Sequence, residues 1–230
     1  MTPRFSLSSL ALTAVAGAAL LSYALPAQSF IAYAAQGVEV AQIVPLTGPL
    51  ANVGKEVNAI TKATLEDFDK GSKTTQIALK TYDDGNVADK STQLATQAVA
   101  SAQALISCFG SVGCLPQQKV RATAGVPLIG PIAGAAPLRG KAATTTYAVR
   151  ASASSEVACL LNFASTTGLS NVSVLVQDDG FGKSYAAELD KAAANFPGLK
   201  ITRSAFNPAS PDYGKSVAEL MAGSPKVLLL

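Results

Sequence analysis

From residue 38 onward the chain alternates between short apolar runs and longer stretches in which apolar residues return every three or four positions. Residues 38–44 form the first strand candidate, and Val57, Ile60, Thr64, Leu65 and Phe68 then fall on one helical face. Residues 76–82 alternate as a second strand, and Leu94, Ala95, Ala98, Val99 and Ala102 stripe a second helix. A buried-type strand at 105–109 follows, then a helix with Pro116 in its first turn, where the missing N–H is tolerated, then a strand at 126–130. After an extended stretch at 147–150, Val157, Leu160, Leu161 and Ala164 mark the next helix, and 172–177 is strongly β-type. Ala186, Leu189, Ala193 and Phe196 recur at helical spacing, and 200–205 reads as a strand. Ser210 and Pro211 read as N-cap and first residue of a helix that turns Val217, Leu220 and Met221 inward and stops at Gly223. Residues 226–230 begin one more strand. Strands separated by helices of ordinary length predict an α/β fold with parallel sheets built from βαβ units.

The alternation is interrupted once. Residues 140–146 are small and polar, and it starts afresh after 147. This predicts two Rossmann-like lobes, 36–146 and 147–230, with a ligand held between them. The sequence stops inside the apolar run VLLL, so the expectation is an incomplete second lobe and a C-terminally truncated chain.

Residues 1–35 read as an export signal. A short segment with Arg4 precedes an apolar run at 7–25, and Ala32, Tyr33 and Ala34 supply the small-x-small pattern of a processing site. A retained membrane anchor is the competing reading. Pro26, Gln28 and Ser29 interrupt the run and favour cleavage near Ala34, leaving a soluble exported protein. No cysteine lies near this junction, so the lipid attachment of anchored lipoproteins is not expected.

Composition narrows the chemistry. The net charge of +3 is small and gives no case for nucleic-acid binding, which wants a strongly basic face. The chain has no histidine, which removes Ser-His-Asp and Cys-His catalysis and the commonest zinc ligand. No metal or cofactor is expected. Asp83 and Asp84 end the second strand; neighbouring residues on a strand point to opposite faces, so a solvated strand end is expected rather than an acid–base pair. Asp178 and Asp179 are assigned a turn. Of the three cysteines, Cys159 reads as a small buried thiol. Cys108 and Cys114 bracket a loop short enough to bridge, but a strand-buried Cys108 can point away from its partner, and spacing alone leaves the bridge open.

Five segments carry a resemblance: VPLTGPLANVG at 44–54, LKTYDDGNVADKSTQLATQAV at 79–99, FGSVGCLPQQ at 109–118, VPLIGPIAGAAPLR at 126–139 running on to YAVRASASSEV at 147–157, and VLVQDDGFGKS at 174–184. In this order and spacing the chain resembles the periplasmic substrate-binding proteins of ABC importers, of the branched-chain amino-acid (Leu/Ile/Val) type. The resemblance covers nearly everything after the signal. It implies a type I fold: a two-lobed, hinge-closing receptor that delivers a small solute to a permease in the inner membrane and performs no chemistry.

The resemblance also implies where the solute sits. Ser111, Val112, Gly113 and Cys114 form a loop ahead of Pro116 whose backbone N–H groups suit a carboxylate, and Gly110 and Gly113 permit close approach. Ile132, Ala133 and Gly134 lie across the same crevice edge. In similar proteins these two loops hold the amino-acid head group through backbone groups and hydroxyls. Here the hydroxyl position of the first loop falls on Cys114, or on Ser111 with a shifted register, and Gly134 stands where a threonine is often found. Thr47 and Val53 follow the first strand, the segment around Val53 lining the pocket. Phe181 is the second lobe's aromatic against the solute side chain. The groups that hold the ammonium in relatives are expected beyond Leu230.

The function implied is that of a monomeric extracytoplasmic receptor for an amino acid or similar small polar solute. A ligand-sensing regulatory domain like the amide sensors of this architecture is the alternative, and an exported α/β enzyme is a third. If the signal is processed as read, N-terminal sequencing of the exported protein will begin at or near Ala35; an intact Met1 terminus on a membrane-bound product overturns it.

Overall fold

The computed structural model describes residues 36–230, and the export signal expected at 1–35 lies outside the described residues. The elements alternate: β1 (Gln36–Val44), α1 (Ala51–Gly71), β2 (Thr75–Asp83), α2 (Ala88–Ala98), β3 (Ala104–Ile106), α3 (Gly110–Ala124) and β4 (Leu128–Ile129). Two short 3-10 turns, Ala136–Leu138 and Lys141–Ala143, lead to β5 (Thr146–Tyr147). Then follow α4 (Ala153–Thr166), β6 (Asn171–Gln177), α5 (Gly180–Ala193), β7 (Lys200–Phe206), α6 (Tyr213–Ala222) and β8 (Val227–Leu229). The strands form two sheets, ordered β2-β1-β3-β4-β5 and β7-β6-β8, and all named pairings are parallel. In each sheet the earliest strand lies inside: β1 between β2 and β3, β6 between β7 and β8. Such a strand is a switch point, and the crevice for a ligand opens at its carboxyl end. Among the described residues no helix is long and apolar enough to cross a membrane.

Both sheets aim the first helix in the same way. A Cβ at Gly54 of α1 would lie 1.9 Å from the Pro45 carbonyl oxygen, and one at Gly182 of α5 would lie 1.9 Å from that of Gln177. Only glycine allows a helix this close to the end of the strand before it. The main core packs α2 and α3 on the first sheet, with Ala41, Ile43, Leu105 and Leu128 meeting Ala95 and Ala98. The α2 stripe expected from the sequence is therefore the buried face.

Other helices turn only part of their apolar stripes inward, Leu65 of α1 and Leu220 of α6 packing on the core. On α1, Gly54 is buried, while Ile60 is 68% and Phe68 50% exposed. The inward positions include Asn58 and Thr61, which bond the fully buried Gln42: Asn58 Nδ2 donates to Gln42 Oε1 at 2.7 Å and Gln42 Nε2 to Thr61 Oγ1 at 2.9 Å. On α6, Ser216 and Leu220 face inward, leaving Val217 and Met221 exposed. Its end is drawn to the sheet at Gly223, where a Cβ would lie 2.3 Å from Thr202 Oγ1, and Ser173 donates to the Leu220 carbonyl at 2.9 Å. Polar bonds and close backbone approach set these faces more strongly than side-chain hydropathy. The N-cap of α6 is Asp212, whose carboxylate accepts from the Lys215 amide at 3.1 Å, two residues beyond the expected Ser210.

Pro116 is not in the first turn of its helix but inside it, because α3 begins at Gly110. The four residues read as a loop, 111–114, are helical. Tertiary bonds hold this start in place of the bond that Pro116 cannot donate. Cys108 and Cys114 are joined, with Cα atoms 5.4 Å apart, which settles the pairing that spacing left open. Cys159 is exposed, contrary to its reading as a buried thiol. In the chain-entropy account, closing so short a loop contributes about 2 kcal/mol. Reduction, or Cys108→Ser with Cys114→Ser, should lower the unfolding free energy by roughly that amount; equal denaturation midpoints for oxidised and reduced protein would show that the bridge does not constrain the chain.

Candidate functional site

The carboxyl ends of strands from both sheets border one cleft of about 520 Å³. The first sheet contributes Pro49 and Leu50 after β1, Gly85 and Asn86 after β2, Phe109, Gly110, Ser111 and Val112 at the start of α3, and Ile132 and Ala133 after β4. The second contributes Gln177 and Asp179 after β6, Phe181 on α5, Phe206, Pro208 and Ala209 at and after the end of β7, and Tyr213 opening α6. Arg150, on the crossing between the sheets, completes the border.

The start of α3 is built to leave its N–H groups open. Gly110 turns the chain at φ +69°, a left-handed value that suits glycine, and its amide donates to the Ile132 carbonyl at 3.1 Å. No side chain caps the helix. The amides after Gly110 thus lie at the positive end of the helix dipole, an arrangement that attracts anions. Ser111 is 1% exposed, and its hydroxyl has no hydrogen-bond partner among the described residues. The turn is pinned from behind: Ser91 Oγ donates to the Gly113 carbonyl at 3.0 Å, and Gln117 Nε2 to the Ile43 carbonyl at 3.0 Å. The start of α5 approaches from the other side, a Cβ at Gly180 falling 3.7 Å from Val112. There the positive end is already engaged, because Asp179 Oδ1 accepts from the Phe181 and Gly182 amides at 2.9 and 3.0 Å. Of the two helix starts, only that of α3 is uncapped.

The two acids ending β2 do not converge, as expected, but neither is a solvated strand end. Asp83 Oδ1 accepts from the Leu46, Thr47 and Gly85 amides at 2.8, 3.1 and 2.9 Å, and Oδ2 from the Thr47 hydroxyl at 2.7 Å. Burial works against its charge, but these bonds outweigh it and hold the pKa down at about 2. Asp84 is fully buried; Oδ1 accepts from the Asn86 amide at 2.9 Å, and Oδ2 has no partner. Burial raises its pKa against the lowering from Asn86 and Ser91. Gly113 passes so close that a Cβ would lie 2.9 Å from Asp84 Oδ2. This strand end shapes two of the cleft's turns.

Phe181, Phe206 and Tyr213 line the same cleft as the α3 start. Phe206 and Tyr213 stack tilted at 5.3 Å between centroids, and Phe181 packs on Tyr185 at 4.8 Å. Burial first, and then its bond to Glu156, push Tyr185 up to about 12.

Of the residues singled out in the sequence, Ser111, Val112, Ile132, Ala133 and Phe181 border the cleft. The structure does not bring Thr47, Val53, Gly113, Cys114 or Gly134 to it. Thr47 bonds Asp83, Val53 lies exposed on α1, Gly113 faces Asp84, and Cys114 is held in the disulfide. Gly134 sits under Tyr185, where a Cβ would meet the hydroxyl at 2.8 Å. Asn86, Phe109, Arg150, Phe206 and Tyr213 were missed. Asn86, Phe109 and Phe206 stand at or just beyond the carboxyl end of a strand, so the switch-point rule applied to every strand would have pointed to them, whereas Tyr213 opens the helix after β7.

Two parallel sheets with a cleft at their strand ends define the type I periplasmic binding fold. The chain belongs to the periplasmic binding protein family, whose profile matches residues 37–230. It is similar to a leucine binding protein from Thermotoga maritima MSB8, at TM-score 0.74 and 18% identity over 83% of this chain and 55% of that one. An extracellular ligand-binding receptor from Verminephrobacter eiseniae ef01-2 matches at TM-score 0.70 and 26% identity, over 85% and 57% of the two chains. A solute binding protein of an ABC transporter from Rhodopseudomonas palustris BisB5, in complex with 3,4-dihydroxy benzoic acid, matches at TM-score 0.72 and 18% identity, over 84% and 53%. The chain thus spans about half the length of these structures. No curated protein sequence matches it significantly.

The bonds to Asp83 make a pH prediction. Its folded pKa of about 2 lies below its ordinary 3.8, so the stabilisation is full above pH 3.8 and is lost as pH falls through 2. Asp83→Asn should therefore melt below the wild type at neutral pH, with the gap closing between pH 4 and pH 2. A gap independent of pH would mean that the ionised carboxylate does not hold this loop.

Proposed function

We propose that the chain is an extracytoplasmic solute-binding receptor that holds a small carboxylate-bearing solute between two lobes and presents it to an ABC permease, without chemistry of its own. The two sheets with their helices are read as the lobes, divided just after β5 (Thr146–Tyr147), which still pairs in the first sheet. The observation that carries this is the uncapped start of α3 with the partnerless Ser111 hydroxyl, opposite Phe181, Phe206 and Tyr213. A solute carboxylate takes the open donors, and an apolar body meets the rings. An amino acid fits the carboxylate end. The rings of Phe109, Phe181, Phe206 and Tyr213 favour a second reading, an aromatic carboxylate. Family membership supports the receptor role, and the solved relatives named for leucine and for dihydroxybenzoic acid support both solute classes.

A thermal-shift screen against amino acids and benzoates identifies the class, because a solute that binds only the folded state raises the melting temperature. Ser111→Ala then tests the site through two readouts of opposite sign. The hydroxyl is buried without a partner, so its removal should leave the free protein as stable or more so. Affinity should fall about tenfold or more, as expected for losing a hydrogen bond to a charged group. Unchanged affinity removes the start of α3 from the site.

A further inference from the structure

Arg150 borders the cleft, and the reading above gives it no task. One edge of its guanidinium is occupied: Nε and Nη2 donate to the two carboxylate oxygens of Glu156, each at 3.2 Å, and Nη2 to the Tyr185 hydroxyl at 3.1 Å. Tyr185 in turn donates to Glu156. Its backbone is held as well, since Arg139 Nη2 donates to the Arg150 and Ala151 carbonyls at 2.6 and 3.1 Å and to that of Ala133 at 3.2 Å. Nη1 of Arg150 donates to no group among the described residues. The planar fork is thus fixed on one edge and open on the other. An ion pair whose side chains are 39% and 28% exposed contributes little to stability, which leaves the clamp better explained by orientation.

Charge decides what the open edge accepts. Glu156 already neutralises the guanidinium, and Asp179 adds a carboxylate to the same cleft. The Arg139 guanidinium also stands close to Glu156, so two arginines are balanced by two carboxylates, and a group arriving at Nη1 meets donors without a net positive charge. We propose that Arg150 is a specificity-determining residue for the far end of the solute, donating to a neutral acceptor such as an amide or hydroxyl oxygen in preference to a second carboxylate. Glu156 and Tyr185 act as positioning residues. The inference rests on the cleft being the solute site.

The test is calorimetry on two matched series: benzoate, 4-carbamoylbenzoate and terephthalate, and leucine, glutamine and glutamate. In a series that binds, the wild type should take the amide at least about fivefold more tightly than the dicarboxylate. Arg150→Met should bring the ratio of amide to parent acid to about one. Glu156→Gln keeps an acceptor against the fork and removes the neutralising charge, so it should shift the balance toward the dicarboxylate by about tenfold. A mere brace would weaken all members of a series alike. Uniform weakening, or ratios that move in neither variant, overturns the inference. Ser111→Ala separates the two failures: if it weakens every ligand while the ratios stand still, only the role of Arg150 falls. If it changes nothing, or no member of either series binds, the reading of the cleft falls too.

Discussion

The placement of one helix turn governs the site. The start of α3 is fixed by a disulfide one residue below its N-cap, by the left-handed turn at Gly110, and by the bonds of Ser91 and Gln117 to backbone carbonyls. An unfixed start followed in the second turn by Pro116 would be a weak one. With the fixing in place, free amides can be held open at the cleft without collapsing onto a cap. Gly113 then becomes a necessity of space against Asp84, while Gly180 brings α5 to ordinary packing distance of Val112.

Electrostatics follow from the same geometry. Each carboxylate near the cleft is given a local task that keeps it from the start of α3. Asp83 ties three turn amides and Asp179 caps α5, while Asp84 is buried with its charge disfavoured. Glu156 is held by Arg150 and Tyr185. The start of α3, like that of α1, has neither a capping side chain nor an acid in its first turn, and it adds the buried Ser111 hydroxyl without a partner, an arrangement that suits an anionic solute group.

The two sheets repeat a device. Each places an early strand inside, flanked by later ones, and each brings the following helix onto the strand end through a glycine, Gly54 or Gly182. The difference lies in what stands at the helix start: Leu50, without a capping side chain, for α1, and Asp179 for α5. The family assignment and the similarity to longer solved receptors agree with this doubled architecture.

The alternation of strands and helices, the parallel sheets and the family were legible from sequence, because period and order depend on neighbours along the chain. So was the position at the cleft of Ser111, Val112, Ile132, Ala133 and Phe181, which lie in segments whose order carries the resemblance. Tertiary structure alone decided the rest. Which face of α1 and α6 turns inward depended on close approach at Gly54 and Gly223 and on the buried Gln42 as well as on the apolar stripe, of which Leu65 and Leu220 pack inward. Whether Cys114 served as a ligand group or a bridge depended on where Cys108 pointed. Arg150 carries no motif of its own; its place in the cleft arises only when Glu156, Tyr185 and Arg139 converge on it from other elements. Local patterning specifies elements through short-range sterics and burial. Contacts between residues tens of positions apart are set by packing, and there the side-chain pattern carries no record of its partners.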